Sequence, residues 1–244
     1  MLGGHELAVG GGNIDTTFSG NLQEGGIAGG TGASLQKLGT GKLTLAGTSS
    51  YTAGTTVQDG ALIAGSATGL PQNTPYTING GTLDLSSWDL QTSNLSGTGG
   101  AIALNAQTLT ANQATNSSFA GSIHGSGNLI KQAAGSLTLS GTNTYTGTTD
   151  IAQGMLQAGA ANAFSNGSTH NVAAGAVMNL AGHNQTVAGL SNSGTVQLSA
   201  GSPGTVLKVT GPYTGSNGVI ALSSVLGADG STSDKLLLSG TAAV

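Results

Sequence analysis

Gly135-Ser136-Leu137-Thr138-Leu139-Ser140-Gly141-Thr142-Asn143-Thr144-Tyr145-Thr146 reproduces Gly41-Lys42-Leu43-Thr44-Leu45-Ala46-Gly47-Thr48-Ser49-Ser50-Tyr51-Thr52 at an offset of 94 residues. The match continues without a gap, pairing Val57 with Ile151, Gly60 with Gly154, Leu62 with Leu156, Ala64 with Ala158 and Gly65 with Gly159. Beyond it Ile78 and Gly81 meet Val172 and Gly175, and after a one-residue insertion Leu85 and Leu95 meet Leu180 and Leu190. The original offset returns at Leu104 with Leu198 and at Phe119 with Tyr213, and Phe18 opens an earlier partial copy. The chain is about two and a half copies of one long unit, the mark of a repeat architecture.

Inside each unit, short patches alternate apolar and polar residues: Leu43-Thr44-Leu45, Thr82-Leu83-Asp84-Leu85, Ile102-Ala103-Leu104, Thr195-Val196-Gln197-Leu198. Period-two alternation over three to five residues is a strand signal. Clusters such as Gly97-Thr98-Gly99-Gly100 and Gly125-Ser126-Gly127-Asn128 separate the patches and supply turns. An antiparallel sandwich shares this rhythm, and composition separates the two. Gly accounts for 44 of 244 residues, charged residues for 6% and aromatics for 3%. In a parallel β-helix each coil lies about 4.8 Å above the last, so equivalent residues stack and like charges repel up the column. Few charges, small corner residues and Thr, Ser or Asn on the outer faces are what that geometry asks for.

The expected fold is therefore all-β, a right-handed parallel β-helix, since parallel crossovers are nearly always right-handed. At roughly 20 to 24 residues per coil the repeat unit takes about four coils and the chain about eleven, a rod on the order of 50 Å long. Leu43, Leu45, Leu62, Leu83, Leu85, Leu137, Leu139 and Leu156 should point into the tube, and Thr44, Thr138 and Asp84 out.

Charge narrows the partners. The five basic residues, all lysines (Lys37, Lys42, Lys131, Lys208, Lys235), lie singly along a chain of formal net charge −4, which supplies no cation cluster for nucleic acid or an anionic membrane. No cysteine occurs, which removes disulfides and thiolate metal sites and suits an exported chain. The start, Met1-Leu2-Gly3-Gly4, lacks a basic and an apolar signal region, and no run of 18 apolar residues occurs, so the chain reads as a non-spanning segment of a longer precursor.

The repeat resembles the autotransporter-associated β-strand repeat. Residues 135 to 159 follow its pattern closely, and residues 41 to 65 depart from it at Ser49 and Ala53-Gly54. Asn13 to Gly20 is similar to the strand that precedes such repeats. The last segment, with Gly218-Val219-Ile220-Ala221-Leu222 and Ser233-Asp234-Lys235-Leu236-Leu237-Leu238, resembles the start of a pertactin-like autochaperone region. The resemblance divides the chain into repetitive coils over 1–212 and a truncated autochaperone-like region over 213–244. It implies bacterial export by type V secretion to the cell surface, with the C-terminal coils emerging and folding first. It also implies two partners in the same precursor, a C-terminal outer-membrane β-barrel and an upstream effector domain. Host cells, neighbouring bacteria or further copies of the chain are partners of an alternative adhesin role.

No residue is assigned a catalytic, cofactor-binding or metal-ligating role, and no cofactor is expected. His5, His124, His170 and His183 lack metal-motif spacing and read as solvated turn residues. No Gly-x-Ser-x-Gly elbow occurs. Gly41-Lys42 is followed by Leu43 where a phosphate loop needs Ser or Thr, and Gly10-Gly11-Gly12-Asn13-Ile14-Asp15 is an unrepeated partial match to a calcium nonapeptide. Asp84 and Asp89 flank Trp88, a pattern compatible with a sugar contact but more simply a solvated face. Tyr51 and Tyr145 read as stacking residues rather than a ligand platform.

Overall fold

A computed structural model describes residues 1–26, 29–199, 201–227 and 230–243; Ala228, Asp229 and Val244 of the C-terminal region lie outside it. The described residues form strands and turns with no helix. One parallel sheet runs the length of the stack, through Glu6–Val9, Ser34–Lys37, Gly54–Val57, Thr74–Ile78, Leu90–Ser96, Thr108–Asn112, Asn128–Gln132, Thr149–Ile151, Thr169–Val172, Gly189–Asn192, Tyr213–Gly215 and Ala242–Ala243. Every pairing between these strands is parallel, the arrangement of a β-helix. The number of rungs differs slightly from the eleven coils expected, and the fold is the one the repeat predicts.

The length of a coil does differ from expectation. Five steps along the long sheet, from Ser34–Lys37 to Asn128–Gln132, separate Leu35 from Leu129, one full repeat, where four coils were expected. Interior coils such as Leu109↔Leu129 and Thr149↔His170 advance by 20 and 21 residues. The stack closes so tightly because glycines turn the corners. Gly97, at φ 145°, bridges Phe119 where a Cβ would lie 1.9 Å from the Ile78 carbonyl oxygen. The two end coils are longer, with Glu6↔Ser34 and Tyr213↔Ala242 advancing by 28 and 29 residues, so the total stays near the expected count.

The side walls are three shorter parallel sheets. One runs from Thr16–Phe18 to Ser122–Gly125, the next from Ser117–Phe119 to Val219–Ala221, and the last stacks Gln185–Val187, Val206–Val209 and Lys235–Leu238. The leucines expected inside are all buried, with Leu43 over Leu62 over Leu83 and Leu137 over Leu156 in continuous columns. Thr44, Thr138 and Asp84 face outward and are half-buried by their stacked neighbours.

The outer faces are held by side chains that reach across coils. Asn79 Oδ1 accepts the Thr98 backbone N–H at 3.2 Å, Asp89 Oδ1 that of Thr108 at 2.8 Å, Asn116 Oδ1 that of Ser136 at 3.0 Å and Asn128 Oδ1 that of Thr148 at 2.8 Å. Turn and strand-end N–H groups thus find acceptors one coil away, which is why Asn is frequent at the corners.

Candidate functional site

The polar groups fall into two sets, those that close corners inside the stack and those that tie down its C-terminal end. Lys37 and Lys131 belong to the first. They are repeat equivalents at the offset of 94, and both are buried in the long sheet. Lys37 Nζ donates to the carbonyl oxygens of Leu38 (2.7 Å), Gly39 (2.7 Å) and Asp59 (3.2 Å). Lys131 Nζ donates to the equivalents Gln132 (2.8 Å), Ala133 (2.8 Å) and Gln153 (3.0 Å). An ammonium has three donors, so each lysine satisfies one corner completely. Burial pushes Lys37 down and Lys131 to about 8. Two of the five lysines therefore do not lie singly on the surface. The sequence signal was their shared offset.

His170 departs from the expectation of a solvated turn. It occupies the inner face of Thr169–Val172, fully buried in a column between Thr149 and Leu190 and tilted against Phe164 at 5.6 Å. Its Nδ1 lies 3.2 Å from the Ser168 carbonyl oxygen and its Nε2 has no partner. Burial lowers it to about 4, so the ring is neutral at physiological pH. A proton on Nδ1 serves Ser168 and leaves Nε2 as a bare acceptor in an apolar column. His5 and His124 are exposed and His183 is half-buried.

The acidic and glycine-rich motifs turn out to brace turns. Asp84 Oδ1 accepts Ser86 N and Asn105 Nδ2, both at 2.8 Å, Asp15 Oδ1 accepts Lys42 N at 2.8 Å and Asn13 Oδ1 accepts Thr40 N at 2.9 Å. Trp88, between Asp84 and Asp89 in the sequence, is 40% exposed. Tyr51 and Tyr145 are buried, with hydroxyls on Thr55 Oγ1 (2.8 Å) and Thr149 Oγ1 (2.6 Å), again at the repeat offset. Burial raises both phenols. Among the described residues no group of three or more His, Asp or Glu comes together as a metal cluster would.

Asp234 organises the C-terminal end. It is buried, and its carboxylate accepts Ser199 Oγ at 2.6 Å and the backbone N–H groups of Gly204, Thr205 and Ser223, each at 2.9 Å. Burial works to raise this carboxyl, but Ser199 and the three backbone donors outweigh it, leaving it below the ordinary range. One side chain thereby gathers three separate stretches of chain onto the last strands. Beside it Leu236 and Leu238 stack over Leu207 and Val209, and Lys235–Leu238 is the last strand of its sheet among the described residues.

Comparison with known proteins agrees with this layout. The passenger-associated-transport-repeat family model matches residues 35–64 and 129–158, each covering two strands of the long sheet in alternation with two side-wall strands. The autochaperone domain type 1 model matches residues 184–244, the segment that Asp234 gathers. The "Adhesin BmaC autotransporter" of Brucella suis biovar 1 (strain 1330) is 39% identical over 149 residues, which is 58% of this chain and 4% of that protein. The "Uncharacterized protein YuaQ" of Escherichia coli (strain K12) is 34% identical over 133 residues, 54% of this chain and 10% of that protein. The chain thus spans a small fraction of either relative. No solved structure matches it.

Proposed function

Because the chain is an autotransporter passenger segment, built from passenger-associated transport repeats and an autochaperone region, we propose that it is a non-enzymatic shaft. In this reading it displays an effector encoded upstream at the bacterial surface, and its own C-to-N folding helps draw the passenger outward. The observation that carries the reading is the twelve-strand sheet running the length of the stack, with the Asp234 cluster bracing the coil at its C-terminal end. In such a stack each coil contacts its neighbours alone, so a folded terminal coil offers a ready strand edge to the next one to arrive. At roughly 0.1 kcal/mol per residue a coil of some 20 residues contributes about 2 kcal/mol, enough to bias a threaded chain without nucleotide hydrolysis. A barrel in the outer membrane, encoded in the same precursor, would hold the emerging end.

Replacing Leu236 and Leu238 by Asp tests this reading, because both stack over buried residues of the preceding coil. Refolding from urea should slow by at least tenfold and secretion of the full precursor should fail; unchanged refolding and secretion would refute it. The similarity to a protein named as an adhesin supports a second reading, in which the rod itself contacts host cells or other bacteria. A cell-binding assay with the outer Thr and Asn residues replaced separates the two, since a shaft loses nothing.

A further inference from the structure

The outer face of the long sheet carries two grooves that the repeat relates to each other. The larger, about 520 Å³, is lined by Thr77, Asn79, Ser96 and Thr98, with the exposed Pro75 at its rim. The smaller, about 240 Å³, is lined by Asn171, Ala173, Ser191 and Ser193. Offset 94 carries Thr77 onto Asn171 and Asn79 onto Ala173, and offset 95, after the inserted residue, carries Ser96 onto Ser191 and Thr98 onto Ser193. The strands Thr74–Ile78 and Thr169–Val172 stand five rungs apart, about 24 Å along the axis. The larger groove forms where the ladder slips, between Thr74 and Pro75, against the long strand Leu90–Ser96.

The chemistry of the grooves selects a ligand class. No ionisable residue lines the larger one, and Asp150 is the one ionisable residue lining the smaller. With the chain at a net charge of −4, a polyanion is repelled. The smaller groove lies on a sheet face; the larger is bordered by Ser117–Phe119, the end strand of its sheet, but there the Ser118 carbonyl already accepts the Gly97 N–H and the Ala120 N–H donates to the Gly97 carbonyl, so an extended peptide finds little open edge to pair with. What remains are hydroxyls and carboxamides, each able to donate and accept, among them Thr77 Oγ1 and Ser96 Oγ, 3.1 Å apart, and the side chains of Asn79, Thr98 and Asn116. That is the complement of a polyol.

We propose that this face binds a neutral polysaccharide lying along the rod axis and occupying both grooves in series. Each groove is shallow and weak alone. A chain long enough to reach from one to the other gains by making the second contact intramolecular, so affinity rises sharply once the sugar spans about 24 Å. The proposal goes beyond the shaft reading and does not rest on it: a shaft with no sugar affinity remains a shaft.

Affinity electrophoresis in gels containing dextran, mannan or amylose, with heparin as the polyanionic probe, tests it. The expected result is retardation by at least one neutral polymer and none by heparin. The double variant Thr77→Val/Ser96→Val, which keeps strand-forming residues while removing the hydroxyls, should weaken that retardation at least tenfold, as should Thr98→Trp, which fills the groove from an exposed turn. Trisaccharides of the bound polymer should compete at least tenfold more weakly than long chains. Absence of retardation by all three neutral polymers, retardation by heparin alone, or retardation unchanged in both variants would overturn the proposal.

Discussion

Replacing Asp234 by Asn should release the C-terminal coil while leaving the middle of the rod intact. The carboxylate receives two donors on each oxygen: Gly204 and Thr205 N–H on Oδ1, Ser199 Oγ–H and Ser223 N–H on Oδ2. A carboxamide retains one oxygen for Gly204 and Thr205 but sets its NH₂ group against the Ser223 N–H, while the Ser199 hydroxyl can rotate to accept. One charge-assisted bond is lost outright, at about 1.5–3 kcal/mol, and two others become neutral, for a total of about 3 kcal/mol. The last coil advances by 29 residues, and at roughly 0.1 kcal/mol per residue its own stability is also about 3 kcal/mol. The substitution therefore consumes nearly all of it. Native-state hydrogen exchange should show amides of Val206–Val209 and Lys235–Leu238 exchanging about a hundredfold faster, with Asn128–Gln132 unchanged because coils couple through neighbours alone. Uniform acceleration along the rod, or no change at the C-terminal end, would refute the reasoning. The pH dependence follows the same group. Its folded-state carboxyl is lowered, so the stability it supplies is complete above the unfolded value of about 4 and is lost as pH falls through the lowered one.

Two further outcomes follow from the interior. His170 titrates near 4 in the folded chain against an ordinary 6.5, so the unfolded state binds more protons between these values; stability is full above about pH 6.5 and falls by about 3 kcal/mol towards pH 4. His170→Leu removes the bare buried acceptor while the Ser168 carbonyl keeps its bond from Ala188 N, so urea denaturation should show a gain of about 1 kcal/mol at pH 7 and loss of that pH dependence. Ala133 sits at φ 60° where its repeat equivalent is Gly39 at φ 64°. Ala133→Gly should stabilise by about 0.5–1 kcal/mol in the same assay, the relief of a left-handed Cβ contact less the added freedom of the unfolded chain.

The columns of leucine were legible because stacking forces equivalent positions to share chemistry, and a repeat exposes them twice. Leu43 with Leu137 and Leu62 with Leu156 needed nothing else. The coil length was less legible: alternating patches mark strands but not how tightly glycines such as Gly97 turn between them, and five coils fit where four were expected. Composition misled at Lys37 and Lys131, since a lone lysine in a polar segment normally lies in water; only their common offset hinted that both close a corner. His170 gave no signal, because its equivalent in the first copy is Tyr76, a different residue on the same inner column. Asp234 was visible as part of the Ser233-Asp234-Lys235 motif, but the donors that make it a hub come from 11 to 35 residues away, a separation that no local pattern encodes.

Pulsed hydrogen exchange during refolding from urea, resolved by peptide, tests the templated stack most directly. Protection should appear first in peptides from residues 184–243 and then advance through 129–158 to 35–64, each coil waiting for the one behind it. Simultaneous protection of all three segments, or protection that begins at 35–64, would contradict the account.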